Sequence, residues 1–327
     1  MFTSPLFGIA TPSDLLRLLA VPVLAWAAYR DLETRRVPNR TWLPLVAVGL
    51  LALAFDLLAL VGVSAFARRL FLIQTLLSLG FVAPLGYVFW RIGGFGGADA
   101  KAIITLAVLF PVYPTYAVLG GAFPVYEAPL GVFSFTILSN AVLAGLLYPV
   151  VLALRNAPRG ELTPAMFVGR PVDIEELTAE YGRLLEASGG FTRRGLDLDA
   201  LRMYLRWRGV SFADLRADPE RYRRSAPSDP NDPGDGAVGD DRVLDGGETT
   251  EPVDDDPWAA AAFLSEHAAY GTTPAALRDG LDAVSEPDRE TVWITPGIPF
   301  ILPILAGLLA ALTFGDLLFW ALSAVGL

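Results

Sequence analysis

Asp31 and Asp99 are the residues whose type and setting best suit chemistry. Asp31 opens the segment Asp31-Leu-Glu-Thr-Arg-Arg-Val-Pro-Asn39, and Asp99 stands in Gly93-Gly-Phe-Gly-Gly-Ala-Asp-Ala-Lys101, each at the edge of a long apolar stretch. Two carboxylates arriving from different helices can converge on one water. Held about 3 Å apart, they cannot both ionise at pH 7, so one stays protonated as general acid while its partner serves as general base. Such a pair needs neither metal nor nucleophile, and no cofactor is expected. Gly96 and Gly97, with Gly93 and Gly94 before them, allow tight turns and a close backbone approach. Lys101, two residues past Asp99, is placed to neutralise charge on a substrate or a lipid headgroup. A plainer reading stays open, in which the glycines form a tight loop between spans and the charges anchor the chain at an interface.

Composition removes several other chemistries. The chain has no cysteine, which excludes disulfides, thiolate nucleophiles and cysteine-ligated metals. A single histidine, His267, leaves little for a histidine metal site, and its polar surroundings suggest simple solvation. Outside the acidic stretch described below, the carboxylates are Asp14, Asp31, Glu33, Asp56, Asp99, Glu127 and Asp316. At about 1.5 Å per residue, Asp56 lies roughly 20 Å up its span and Asp316 at least nearly as far. Asp14 and Glu127 belong to the outer side. Glu33, two positions from Asp31 on a helix, points elsewhere.

The chain is 53% hydrophobic with a mean hydropathy of +0.46, a composition that puts much of it in lipid. Crossing a bilayer takes roughly 20 apolar residues. Six stretches qualify, at about 11–28, 42–63, 70–90, 102–121, 131–154 and 299–321. The expected fold is an all-α polytopic membrane protein of about six transmembrane helices. Its expected parts are a membrane domain over 1–154, an acidic insertion over 155–291 and a last helix within 292–327. No basic region precedes the first span, which argues against a cleaved signal peptide.

Arg30, Arg35, Arg36 and Arg40 lie in the first loop, and Arg91 and Lys101 bound the third. Cations are retained on the cytoplasmic side, so the N-terminus is expected outside and the insertion in the cytoplasm, with Arg68 and Arg69 of the second loop dissenting. Residues 155–291 hold 28 acidic residues against 16 arginines, an excess that disfavours nucleic acid and anionic lipid as partners. Such an acidic, nearly lysine-free composition resembles proteins of halophilic archaea, although GC-rich codon bias gives a similar result. Helices are expected over 172–187, 196–208, 258–269 and 274–284 from their apolar spacing. The Pro, Gly, Asp and Glu composition of 225–256 predicts a disordered linker.

Asp31 with Arg35, Arg36, Val37, Pro38 and Asn39, followed by Gly96-Gly-Ala-Asp-Ala-Lys101, resembles the two active-site segments of the type IV prepilin peptidases, especially the archaeal prepilin and preflagellin peptidases. These are membrane aspartyl proteases with a Gly-x-Gly-Asp signature, from which this chain departs at Ala98. The resemblance puts the two catalytic aspartates at Asp31 and Asp99, with Pro38, Asn39, Gly96, Gly97 and Lys101 in support. It implies pilin-like precursors with basic leaders as substrates, cut at the cytoplasmic face of the cell membrane. The segment Trp293-Ile-Thr-Pro-Gly-Ile-Pro-Phe-Ile-Leu-Pro303 also resembles the archaeal members. Pro296, Pro299 and Pro303 withhold donors there, leaving carbonyls for an extended substrate or merely kinking the helix entry. Bacterial relatives add a methyltransferase activity and a four-cysteine zinc loop; without cysteine, a peptidase alone is expected.

Two other classes compete. In a transporter or channel, Asp14, Asp56 and Asp316 would form an ion path; in an assembly scaffold, the acidic segment would recruit partners. Arg35 and Arg36 read best as topology anchors, because basic leaders would be repelled by them. Asn140 and Gln74 read best as hydrogen-bonded links between helices.

Overall fold

The computed structural model describes residues 8–92, 95–118, 120–159, 164–187, 190–192, 194–239, 249–252, 255–295 and 300–326. The first apolar stretch is broken in two. Helix α1 (Pro12–Arg17) starts on a proline and is capped by Thr11, whose hydroxyl accepts from the Asp14 amide; proline suits that position because its missing donor would be unpaired anyway. Helix α2 (Ala20–Thr34) ends at Arg35, whose backbone is left-handed at φ 53°. A 3-10 turn over Asn39–Thr41 leads into α3 (Trp42–Ala59). Helix α4 (Ala65–Leu77) runs through a π-helical turn, Ser78–Val82, into α5 (Ala83–Arg91). Helix α6 (Gly97–Leu109) stops short, and the chain turns into an antiparallel hairpin of β1 (Tyr116–Val118) and β2 (Gly121–Phe123) before α7 (Phe133–Asn156).

The second compact unit, Pro149–Ile298, begins with β3 (Arg170–Asp173), a 3-10 turn over Ile174–Ala179, and the short strands β4 (Arg183–Leu184), β5 (Glu186–Ala187) and β6 (Gly190–Phe191). It continues with α8 (Leu198–Arg208), α9 (Phe212–Ala217), α10 (Pro219–Arg223), β7 (Ser225–Pro227) and β8 (Thr249–Pro252). Helices α11 (Ala260–Glu266) and α12 (Pro274–Val284) and strand β9 (Thr291–Thr295) complete it. The first unit, Met1–Tyr148 with Pro299–Leu327, closes with α13 (Ile301–Thr313) and α14 (Leu317–Ala324).

Among the described residues, three helices are long and apolar enough to cross a membrane: Asn39–Ala59, Ala65–Arg91 and Phe133–Asn156. Of the six transmembrane helices expected, these three reach a crossing length as continuous helices. Helices α6 and α13 have 13 residues each, about 20 Å at 1.5 Å per residue, against a hydrocarbon core of roughly 30 Å. The last stretch breaks at Gly315, where φ is +109° and a Cβ would lie 1.8 Å from the Tyr126 carbonyl oxygen. Backbone groups at such a break need partners away from water. Asn140 supplies them, donating to Gly315 O (2.8 Å) and accepting from Leu317 N (3.0 Å), while Asp316 caps α14 by accepting from Phe319 N (2.9 Å). Gln74 links α4 to the loop before α7 through Leu130 O (3.4 Å). The all-α expectation is corrected, since the described residues of this mostly helical chain include four small antiparallel sheets.

Helix packing in the first unit relies on small residues. A Cβ on Gly307 of α13 would meet the Ala141 amide nitrogen of α7 at 2.6 Å, and one on Gly49 of α3 would meet Val108 of α6 at 3.0 Å. Close approach of this kind is how helices associate in lipid. Arg17, 2% exposed, is a buried charge among carboxylates. It donates to Asp14 at 2.7 Å, to Asp56, and to the Leu109 carbonyl at 2.7 Å, tying α1 to α3 and α6.

In the second unit, α8 is central, with Leu198, Leu201, Tyr204 and Leu205 in the core. Helix α12 falls where its spacing predicts, and α11 covers the middle of 258–269. The expected helix over 172–187 does not form, because β3 and β4 both pair with β9 and Gly182 between them adopts φ 129°. A long-range ladder overrides the helical spacing. The described part of the expected linker is folded: β7 pairs with β8, and Arg202 Nε donates to Gly236 O at 2.6 Å. Residues 240–248 and 253–254 of that stretch lie outside the described residues.

Replacing Arg17 with Met leaves the buried Asp14 and the half-buried Asp56 without their cation. The expected cost is about 3–5 kcal/mol, read from unfolding in detergent, whereas replacing all three residues by apolar ones of similar size is expected to cost much less.

Candidate active site

Three elements of the first unit supply the site. Asp31 lies in the last turn of α2 and is 8% exposed. Its carbonyl accepts from the Arg35 amide at 3.1 Å, closing the helix with the left-handed residue. Asp99 is the third residue of α6 and half-buried, most of its surroundings being protein while its rim meets solvent. Its carboxylate accepts from the Gly96 amide at 3.1 Å and from the backbone amide of Ile301, the first residue of α13. Both donors are unpaired groups at a helix start, a natural seat for a negative charge.

Asp31 and Asp99 lie outside the three crossing helices. Burial, followed by the negative charge of Asp31, pushes Asp99 up to about 7, against the pull of the Gly96 and Ile301 amides and of Arg35. Burial also raises Asp31, with the Arg35 charge opposing it. The two carboxylates therefore feel one another at a place with little solvent. At neutral pH Asp99 therefore holds a proton for a substantial fraction of the time.

The supporting residues divide. Lys101 Nζ donates to Asn39 Oδ1 at 2.5 Å, stitching the segment after α2 to α6, so this cation is engaged with the protein itself. Pro38, at φ −58°, sets the entry to the 3-10 turn that Asn39 opens. Gly96 is required by space: a Cβ there would sit 2.9 Å from Asp99 Oδ2, whereas a Cβ on Gly97 would only touch Trp90 Nε1 at 3.7 Å. Pro299, Pro296, Gly93 and Gly94 lie outside the described residues. Pro303 sits in the first turn of α13, where no intrahelical donor is lost. Glu33 turns away to accept from Tyr29.

Sequence reading missed three contributors. The Ile301 amide carries no side-chain signal. Phe95 stacks on Phe300 with ring centroids 4.9 Å apart and packs on Phe89 at 5.0 Å, holding the loop before Asp99 against the entry to α13. Arg35 influences both aspartates; its spacing, four residues beyond Asp31, was the available signal.

Residues 18–150 match the model of the type IV leader peptidase family, and residues 259–317 match that of the archaeal peptidase A24 C-terminus, type II. Over these two stretches the chain is similar to the type IV leader peptidase family. Among similar proteins, a prepilin peptidase, EppA, of Methanothermobacter thermautotrophicus is 31% identical over 135 residues, covering 38% of this chain and 31% of the relative. A preflagellin peptidase of Methanocaldococcus jannaschii is 26% identical over 158 residues, covering 46% of this chain and 64% of the relative. The chain thus matches less than two thirds of the length of either. The leader peptidase match takes in Asp31, Asp99 and their immediate partners from α2 to α6, and the C-terminal match includes Ile301.

Gly96→Ala is expected to leave the melting temperature unchanged, because only the tip of the Asp99 side chain must move. A reacting group displaced by about 1 Å costs on the order of 100-fold in rate. Leader-peptide cleavage should fall at least tenfold in Gly96→Ala and stay near wild type in Gly97→Ala, measured side by side with the melting curves.

Proposed function

We propose that the chain is a membrane aspartyl endopeptidase that removes the basic leader from pilin-like or flagellin-like precursors at the cytoplasmic membrane face. The observation that carries this reading is the pairing of Asp99, pushed up to about 7, with a second buried carboxylate whose charge it feels, in a chain similar to the leader peptidase family. Asp31 in its ionised form takes a proton from a water as that water attacks the scissile carbonyl. Asp99 gives its proton to the carbonyl oxygen, forming a gem-diol. Collapse of the gem-diol breaks the C–N bond, with a proton delivered to the departing amine.

The cation bias of the loops supports a site at the cytoplasmic boundary. The fitting substrate is a single-span precursor with a short basic leader followed by roughly 20 apolar residues. Its backbone must unwind at the cut, and the Gly-rich approach to Asp99 is the place to receive it. The carboxylates of the competing ion-path reading are otherwise occupied: Asp14 and Asp56 hold Arg17, and Asp316 accepts from Thr136 at 2.8 Å while capping α14.

Purified chain in detergent, incubated with a pilin-type precursor, should release the leader with or without a chelator. Asp31→Asn and Asp99→Asn should each reduce cleavage to background, and the double variant should be no worse, because residues acting as a unit are not additive. Substantial activity in either single variant would remove the pair from the mechanism.

The singly protonated pair is the working form. It is lost as pH rises through about 7 and Asp99 ionises, and it is lost again at acid pH when Asp31, whose hold on a proton is raised by burial, gains one. A bell-shaped profile of kcat/KM with its alkaline limb near pH 7 is expected; a rate still climbing at pH 9 would contradict it. Shifting the precursor's basic-to-apolar junction by several residues should shift the cleavage site with it, as mapped by mass spectrometry. A cut that stays put, or falls deep in the apolar segment, would favour a protease acting at the bilayer midplane.

A further inference from the structure

The geometry points to Arg35 as a positioning residue of the aspartate pair, held by a left-handed turn so that its guanidinium balances the charge of the singly protonated carboxylates. The inference rests on the reading that this pair cuts peptides. Arg35 directly follows α2, one turn beyond Asp31, and its amide bonds the Asp31 carbonyl at 3.1 Å. Its φ of 53° is unusual for a residue with a side chain. Glycine is the favoured residue at such a helix end, and non-glycine residues persist in this conformation where the surroundings over-determine them. The side chain at position 35 is therefore kept at a conformational cost.

The guanidinium is half-buried and acts on both carboxylates, lowering each against the push of burial. The other groups facing Asp99 are Asp31 from α2, the Gly96 amide ahead of α6 and the Ile301 amide of α13. Lys101 is engaged with Asn39. With one proton on the pair, two carboxylates and one guanidinium sum to zero charge, the state least penalised in a poorly solvated site. Without Arg35 the same state carries one net negative charge, so the pair holds its second proton to higher pH. Basic leaders do not conflict with this role, since the repulsion of Arg35 is spent on the paired carboxylates.

The test compares Arg35→Gln, Arg35→Gly and Arg35→Lys with wild type in the full chain, reading the pH profile of kcat/KM for leader cleavage alongside melting. Arg35→Gly relaxes the turn and should melt at or above the wild-type temperature. Both neutral variants should nonetheless move their acid limb up by about one pH unit, a roughly tenfold loss on the acid side of the bell. Arg35→Lys should keep the profile near its wild-type position. A wild-type profile in either neutral variant would overturn the proposal, and so would a loss in Arg35→Lys as deep as in Arg35→Gln, because charge would then not be what matters. Failure of wild-type chain to cleave would overturn the peptidase reading itself, a separate outcome.

Discussion

Keeping two like charges close together where water is scarce is the constraint around which the first unit is arranged. Neither carboxylate tolerates that setting alone, and each is compensated by a different kind of partner. Asp99 leans on backbone amides at the starts of α6 and α13. Asp31 leans on the charge of Arg35. Amide dipoles are rigid and cannot be lost by protonation, whereas a guanidinium on a flexible stem can be displaced. The amides act on Asp99 alone while Arg35 acts on both carboxylates, and it is burial, followed by the negative charge of Asp31, that lifts Asp99 to about 7.

The surrounding helices serve this arrangement by being short. Since α6 begins at Gly97 and α13 at Ile301, both present unpaired amides at the level of Asp99. Their far ends then fall short of a full crossing, and the polar groups left there need internal partners. Asn140 and Asp316 satisfy the break at Gly315, and Arg17 satisfies a carbonyl at the end of α6 together with two carboxylates. The buried polar network away from the site is a structural corollary of where the helices must start.

The candidate pair was legible in sequence because ionisable residues at the ends of apolar stretches are costly and sparse, and because the motifs around Asp31 and Asp99 are short and local. Helices α8 and α12 were legible for the same reason: their apolar spacing is carried within one segment. What could not be read was non-local. The 172–187 segment has helical spacing, but β9, more than a hundred residues along the chain, claims it for a sheet. Hydropathy likewise detects the last apolar stretch without seeing that the Tyr126 carbonyl occupies the space beside Gly315. The contribution of Ile301 lies in a backbone amide, which no residue type encodes. The charge of Arg35 suits two roles, topology anchor and partner of the aspartates, and its left-handed turn is a backbone property that no residue type encodes.

The bond between Lys101 and Asn39 has a practical side. Lys101 is the sole lysine of the chain, so its ε-amine is the one side-chain target for reagents selective for primary amines, and it lies two residues from Asp99. An acylating probe at high pH thereby reports on this corner of the molecule and on no other lysine. While Nζ is hydrogen-bonded to Asn39, its attack on such a probe is slowed. The rate of labelling becomes a clock for how often the segment after α2 parts from α6, with the chain unmodified in advance.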